Sequence, residues 1–156
     1  MPVVTDILCP IDFSPSSERA ARFAVDLATG MRAQLHLAHV LPLPMPSMPV
    51  PELGLMPQEA ILPPTARLST DARDALFRLA GDLGVDAAVH VVSGTAAREI
   101  VTLAEALGVG MIVMGTHGRT GLAHLLLGSV AERVMRTAHL PVLVVPAHDR
   151  RGRADS

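Results

Sequence analysis

Three glycines and a serine near the end of the chain have the types and spacing of a phosphate-binding loop. Gly115 ends an apolar run, and Gly118 follows after two residues. Gly128 follows after nine more residues, with Ser129 directly behind it. Glycines let backbone N–H groups approach an anion because no Cβ stands in the way. The first N–H groups of the next helix, with the positive end of its dipole, add to the attraction.

Spacing alone leaves two interpretations open, phosphate binding and a plain strand-to-helix turn, because loops also need glycine for structural reasons. The dinucleotide fingerprint G-x-G-x-x-G is absent, and the P-loop requires a lysine, which this chain lacks. Arg119 could neutralise phosphate charge as a planar fork, or be a solvated loop charge. His117 could likewise contact phosphate or sugar, or it could be an exposed loop residue without a role in binding.

An aspartate follows the first apolar run of the chain. Residues 3–10 predict a buried strand, and Asp12 lies just past its carboxyl end. Ligands of open α/β sheets bind at this end of the strands, which makes Asp12 a candidate ligand contact. Aspartate is equally common as a turn residue or helix cap. No Ser/His/Asp arrangement, paired carboxylates or lysine accompanies these residues, so binding is expected over efficient catalysis.

The elements that must position these residues alternate between strand and helix. Apolar runs predict strands at 3–10, 34–40, 85–92, 111–114 and 141–145, the third of them an edge strand. Between them, helices are predicted from Ser14-Pro15 to Gly30, over 65–83, from Thr95 to Gly108 and over 128–137. This alternation predicts an α/β fold of three layers, with a five-stranded parallel sheet between helices. The inward faces are expected to carry Ala20, Ala24, Leu27 and Met31 in the first helix, and Leu68, Ala72, Leu76, Leu79 and Leu83 in the second.

Two further segments have open interpretations. Residues 41–64 hold eight of the 13 prolines, which argues against helix or central strand. The segment could be a lid over the site, a surface that packs on a partner, or a connector with no role. His36, His39 and His90 could suggest a metal site. However, His36 and His39 stand three apart on one strand and point to opposite faces, which argues against shared ligation.

Composition limits the function classes. The chain has 156 residues, of which 49% are hydrophobic, enough for the core of one domain. A net charge of −2 without a basic run gives no sign of a nucleic-acid partner. A single cysteine favours a reducing compartment, and no apolar run reaches the roughly 18 residues of a membrane span. These features predict a cytoplasmic protein without a membrane partner.

Three separated motifs resemble the universal stress protein family in its ATP-binding form. They are ILCPIDFSPSS near the start, G-x2-G-x9-G-S after the strand ending in VMG, and PVLVVP near the end. The resemblance covers about residues 2–147 and implies a single domain over 1–147 that includes the 41–64 loop, followed by a polar tail, 148–156. It also implies a Rossmann-like sheet of the adenine nucleotide alpha hydrolase type, with strand order 3-2-1-4-5.

The resemblance assigns roles to individual residues. Pro10 and Ile11 would line the adenine pocket, the backbone of Val40 would bond adenine, and Asp12 would contact ribose or a Mg²⁺ ion. A homodimer through strand 141–145 is also implied. The alternatives are a slow ATP hydrolase and an interaction module that binds no nucleotide. The full set expected to bind nucleotide is Pro10, Ile11, Asp12, Val40, Met114, Gly115, His117, Gly118, Arg119, Gly128, Ser129 and Val130.

Overall fold

The computed structural model describes residues 3–43, 64–117 and 127–147. Nine helices and strands alternate strictly along these described residues. They are β1 (Asp6–Pro10), α1 (Pro15–Met31), β2 (Gln34–Leu41), α2 (Pro64–Asp82), β3 (Ala87–Ser93), α3 (Ala96–Leu107), β4 (Met111–Gly115), α4 (Ser129–Thr137) and β5 (Val142–Val145). The predicted segments 41–64 and 148–156 fall outside the described residues, apart from 41–43 and 64.

The five strands form one parallel sheet in the order β3-β2-β1-β4-β5. This confirms the fold class and the predicted order. β1 pairs with β2 from Asp6 to Pro10, and with β4 through Ile7 and Leu8. The order reverses between β1 and β4, which brings the carboxyl ends of these two strands together. β3 lies at one edge, as predicted, and β5 lies at the other.

Two apolar layers, one on each face of the sheet, hold the helices in place. Alternate residues of β1 point into different layers. Ile7 packs in the layer that includes α1 and α2, and Leu8 packs in the layer that includes α3 and α4. The first layer includes Ala20, Ala24, Leu35, Leu37 and Leu76. The second includes Ala38, Ile100, Ala104, Ile112 and Val134.

The start of α1 follows the sequence prediction, but its end does not. Ser14 caps the helix by accepting a hydrogen bond from Ser17 N at 3.2 Å, and Pro15 occupies the first turn. Gly30 lies inside the helix, and the left-handed position at the C-cap belongs to Arg32, with φ 57°. The prediction that the helix stops at Gly30 was therefore wrong, because a non-glycine residue adopts the left-handed conformation two positions later.

Some predicted boundaries and inward faces also required correction. Met31 is 38% exposed and Leu68 is 54% exposed, so neither belongs to the buried face that was predicted for its helix. β1 begins at Asp6 and not at Val3, which is 78% exposed, because the pairing with β2 begins at Asp6. α3 ends at Gly108 in the left-handed conformation, as predicted. Across the described ranges, every helix is too short or too polar to traverse a bilayer.

Candidate nucleotide site at the carboxyl edge of the sheet

A cavity of about 360 Å³ lies at the carboxyl ends of β1, β2 and β4, beside the first turns of α3 and α4. Twelve residues were expected to bind nucleotide, and Gly118 and Arg119 among them lie outside the described residues. The other ten all line this one cavity. They are Pro10, Ile11, Asp12, Val40, Met114, Gly115, His117, Gly128, Ser129 and Val130.

Hydrogen bonds to β2 and α1 fix the turn after β1. Ile11 N donates to Ala38 O at 2.7 Å, which continues the strand pairing by one residue. His39 Nδ1 lies 2.6 Å from Ile11 O, and because a carbonyl oxygen only accepts, this nitrogen carries the proton. Both backbone groups of Ile11 are thus bonded to β2. The turn therefore holds the next residue, Asp12, at the cavity wall.

Asp12 also performs the structural role that its residue type suggested. Its carboxylate Oδ1 accepts a hydrogen bond from Ser14 N at 2.9 Å, and its own N–H donates to Ser17 Oγ at 3.3 Å. Phe13 between them has φ 62°, and its ring lies against the His39 imidazole with centroids 4.9 Å apart. The turn interpretation and the ligand interpretation of Asp12 are therefore compatible, since Asp12 lines the cavity while one of its carboxylate oxygens supports the turn.

Packing requires glycine at two positions of the loop. A Cβ built on Gly115 would lie 2.5 Å from Ser16 Oγ and 2.8 Å from the Ser16 carbonyl oxygen. A Cβ on Gly128 would lie 2.7 Å from the carbonyl oxygen of Thr116, to which Gly128 N donates a hydrogen bond of 2.5 Å. Close backbone approach accounts for both glycines without any ligand. Gly115 and Gly128 themselves contribute only backbone to the cavity wall.

Thr116 and His117 follow β4, and His117 contacts the start of α1. Thr116 is buried, and its Oγ1 lies 2.8 Å from His117 Nδ1. His117 N donates to Ser16 Oγ at 3.4 Å. Ser16 thus contacts both sides of this corner, since its hydroxyl bonds His117 and its backbone packs on Gly115. The serines that follow Asp12 fix the loop as well as starting a helix.

The cavity lining is of two chemical kinds. Pro10, Ile11, Val40, Ile100 and Met114 contribute apolar side chains. The first turns of α3 and α4 also reach the cavity, through Ala96, Ser129 and Val130. The first N–H groups of a helix have no partner inside the helix and carry partial positive charge. The lining therefore suits a ligand that carries both an apolar ring and an anionic group.

Eight lining residues had not been predicted from the sequence. His39, Pro42, Ala96 and Ile100 come from the ends of β2 and α3, and nothing in their types distinguished them from core or turn residues. Ser17 could have been found, because it lies three residues after a capping serine at the start of a helix. The full set is Ser17, Ala38, His39, Pro42, Ala96, Ile100, Thr116 and Ala131.

No three His, Cys, Asp or Glu side chains within residues 3–43, 64–117 and 127–147 are placed to hold one metal ion. His39 bonds Ile11, whereas His36 and His90 lie together elsewhere on the sheet, so the three histidines do not share a site. His36 and His39 therefore lie on opposite faces of the sheet, as their spacing of three along one strand predicted. Mg²⁺ at Asp12 remains a prediction.

Comparison with known proteins agrees with this fold. The universal stress protein family model matches residues 4–146. Universal stress protein MJ0531 of Methanocaldococcus jannaschii is 37% identical over 139 residues, which cover 89% of this chain and 80% of the relative.

Two solved structures resemble the chain. The structure of protein MJ0577, from the same organism, has a TM-score of 0.71 and 27% identity over 95% of this chain and 99% of its own. A universal stress protein solved in complex with cAMP has a TM-score of 0.65 and 24% identity over 94% and 100%, which shows likeness of fold. The family match extends over nearly the whole chain, and the sheet order is the one its motifs implied. This chain belongs to the universal stress protein family.

Proposed function

We propose that this chain binds an adenine nucleotide, with ATP as the leading ligand, in the cavity at the carboxyl edge of the sheet. One observation carries the proposal. Ten residues expected at a nucleotide site come from four separate parts of the chain, and all ten line one cavity. A relative of the same fold has been solved with cAMP, an adenine nucleotide.

The apolar part of the cavity lining suits the base. Proline, isoleucine and valine side chains give flat apolar contact to an aromatic ring, and the backbone of Val40 offers hydrogen bonds to the ring edge. The chain contains only three phenylalanines and no Trp or Tyr. The adenine ring would therefore be held by aliphatic side chains and backbone groups, and not by stacking on aromatic side chains.

The start of α4 suits the phosphates. Ser129 and Val130 begin α4, and their backbone N–H groups belong to the first turn of a helix that opens on the cavity. The Ser129 hydroxyl adds a side-chain donor, and a helix N-terminus favours negative charge. Asp12 is the only carboxylate among the described lining residues, and we propose that it meets the ribose or a Mg²⁺ ion that accompanies the phosphates.

The proposal extends to assembly and location. Within the described sheet β5 pairs with β4 alone, so its outer edge is available to a second copy of the chain. An edge strand of this kind is a site for strand pairing between subunits. We propose a cytoplasmic homodimer through β5, in which each subunit holds one nucleotide and responds to stress by changing its nucleotide occupancy.

Calorimetric titration with ATP, with and without Mg²⁺ and with AMP as comparator, tests the proposal. We expect saturable binding of ATP that Ser129→Ala weakens by about 10- to 100-fold, the range for losing a hydrogen bond to a charged group. Ser93→Ala, an exposed serine outside the cavity, is the matched control and should leave affinity unchanged. Gly118→Asp should abolish binding by adding a side chain and a negative charge to the loop.

A flat titration of the wild-type chain would refute the proposal and favour an interaction module that binds no nucleotide. Equal affinities for wild type and Ser129→Ala would refute the placement of the phosphates. Phosphate release measured in the same samples separates binding from slow hydrolysis. Turnover above the background of a Gly128→Asp variant would establish the hydrolase.

A further inference from the structure

A second cavity, of about 620 Å³, lies between the first turn of α3 and one face of α4. It shares Ala96, Ser129 and Val130 with the proposed nucleotide cavity, so the two cavities adjoin at the start of α4. A ligand group that extends past Ser129 therefore enters this second cavity, which we call the α4 groove. Its other lining residues are Thr95, Ala97, Glu132, Arg133, Arg136 and Thr137.

Positive charge lies on the face of α4 that lines the groove. Arg133 is four residues after Ser129 and Arg136 is seven residues after it, a spacing that puts all three on one side of a helix. Long side chains of a helix lean toward its N-terminus. We therefore expect the Arg133 side chain to cover the turn that begins at Ser129, with its guanidinium close to the junction of the two cavities.

The two arginines of the groove differ in their partners. Arg136 Nη2 lies 2.6 Å from Glu132 Oε1, so the charge of Glu132 is paired within the helix. No carboxylate in the described part of the chain forms an ion pair with Arg133, whose side chain is exposed. The charge and the donors of Arg133 therefore remain available to a ligand. A guanidinium can bind a phosphate through two parallel N–H···O bonds.

A hydroxyl group reaches the groove from α3. Thr95 is the N-cap residue of this helix, but its side chain makes no cap hydrogen bond. Thr137, in contrast, donates its hydroxyl to the carbonyl oxygen of Arg133 at 2.8 Å. Thr95 therefore keeps its hydroxyl for a ligand, whereas that of Thr137 is used within α4. A phosphate in the groove would meet a cation from one helix and a neutral donor from the other.

We propose that the α4 groove receives the terminal phosphate of a nucleoside triphosphate, which Arg133 binds through its guanidinium and Thr95 through its hydroxyl. This inference rests on the proposed function, because the base and the first phosphate must occupy the adjoining cavity. The single phosphate of a nucleoside monophosphate stops at Ser129 and does not reach Arg133. The groove therefore gives the site a preference for triphosphates over monophosphates.

The test compares ATP with AMP in calorimetric titrations of the full chain and of an Arg133→Gln variant. We expect Arg133→Gln to weaken ATP binding by about tenfold, the lower end of the range for a hydrogen bond to a charged group, because Arg133 is exposed. The AMP affinity of this variant should equal that of the wild type. Arg133→Lys keeps the charge but loses the planar fork, so its ATP affinity should lie between those of wild type and Arg133→Gln.

Arg98→Gln is the matched control. Arg98 is exposed in the first turn of α3 and lines neither cavity. This variant loses the same charge near the same helix start and should bind ATP as the wild type does. Both arginines are exposed, so neither change to glutamine should disturb the fold, which circular dichroism checks.

Three results would overturn the inference and leave the proposed function intact. They are wild-type ATP affinity in Arg133→Gln, an equal loss of ATP affinity in Arg98→Gln, and a wild-type chain that binds AMP as tightly as ATP. Equal losses of ATP and AMP affinity in Arg133→Gln would also overturn it, because they would place the effect in the part of the site that both nucleotides share. A flat titration of the wild-type chain with both nucleotides would refute the proposed function itself, and this inference with it.

Discussion

The close packing of Gly115 on Ser16 makes Gly115→Ala a direct test of the corner between β4 and α1. The added methyl group would lie 2.5 Å from Ser16 Oγ, 2.8 Å from the Ser16 carbonyl oxygen and 2.9 Å from its carbonyl carbon. The hydroxyl can rotate away, but the carbonyl belongs to the first turn of α1, which the Ser14 cap and the apolar layer hold in place. The backbone must therefore shift at the strand end, at the helix start or at both.

Such overpacking costs about 1–3 kcal/mol in well-packed sites. In a chain of this size each kcal/mol lowers Tm by about 2–4 °C. Differential scanning calorimetry and urea unfolding of Gly115→Ala measure the effect. Because Gly115 also lines the cavity, we expect the affinity for ATP to fall together with the stability.

Gly30→Ala provides the matched control. A Cβ on Gly30 meets nothing within 4 Å, and Gly30 lies inside α1 without a positive φ. Alanine is the better helix former by about 1 kcal/mol, so this variant should be more stable than wild type. A Gly115→Ala protein as stable as wild type would refute the packing argument, and so would an equal loss of stability in both variants.

Two other predictions concern the core and the helix caps. Burial of Cys9 (0% exposed) raises the pKa of its thiol to about 12, so iodoacetamide at pH 8 should label the protein only after unfolding; labelling of the native chain at the rate of a free thiol would contradict the burial. Ser14→Ala should cost about 1 kcal/mol of unfolding free energy in urea because it removes a cap hydrogen bond, whereas Thr95→Ala should cost far less, since the Thr95 side chain makes no such bond. Equal losses in the two variants would show that the cap bond does not account for the effect.

Much of the fold could be predicted from the sequence, because apolar runs, caps and glycines act locally. Ser14, Pro15 and Gly108 mark helix ends through backbone chemistry that needs no tertiary context, and the structure agrees at each. Arg32 could not be predicted, because a non-glycine residue in the left-handed conformation has no sequence signature. The strand order came from resemblance to a family and not from any single residue.

The candidate site, like the fold, could be predicted from the sequence only in part. Asp12, Gly115 and Gly128 were predicted from motifs, and they line one cavity. Ala96 and Ile100 also line the cavity. They reach it only because α3 crosses over the sheet, and no local sequence pattern indicates this. The pairing of His36 with His90 depends on the register between β2 and β3, in which His90 lies opposite Ala38. A one-residue shift of that register would place the rings on opposite faces.

The position of β1 at the centre of the sheet has a consequence for how the protein is made. β1 precedes β4 along the chain, yet β4 is its partner on one side. A nascent chain in which β4 has not yet been made keeps this side of β1 unpaired, and it lacks the cavity wall that Met114 and Gly115 contribute. The proposed nucleotide would therefore stabilise only chains in which β4 has already paired with β1, and its binding would distinguish them from partly folded ones.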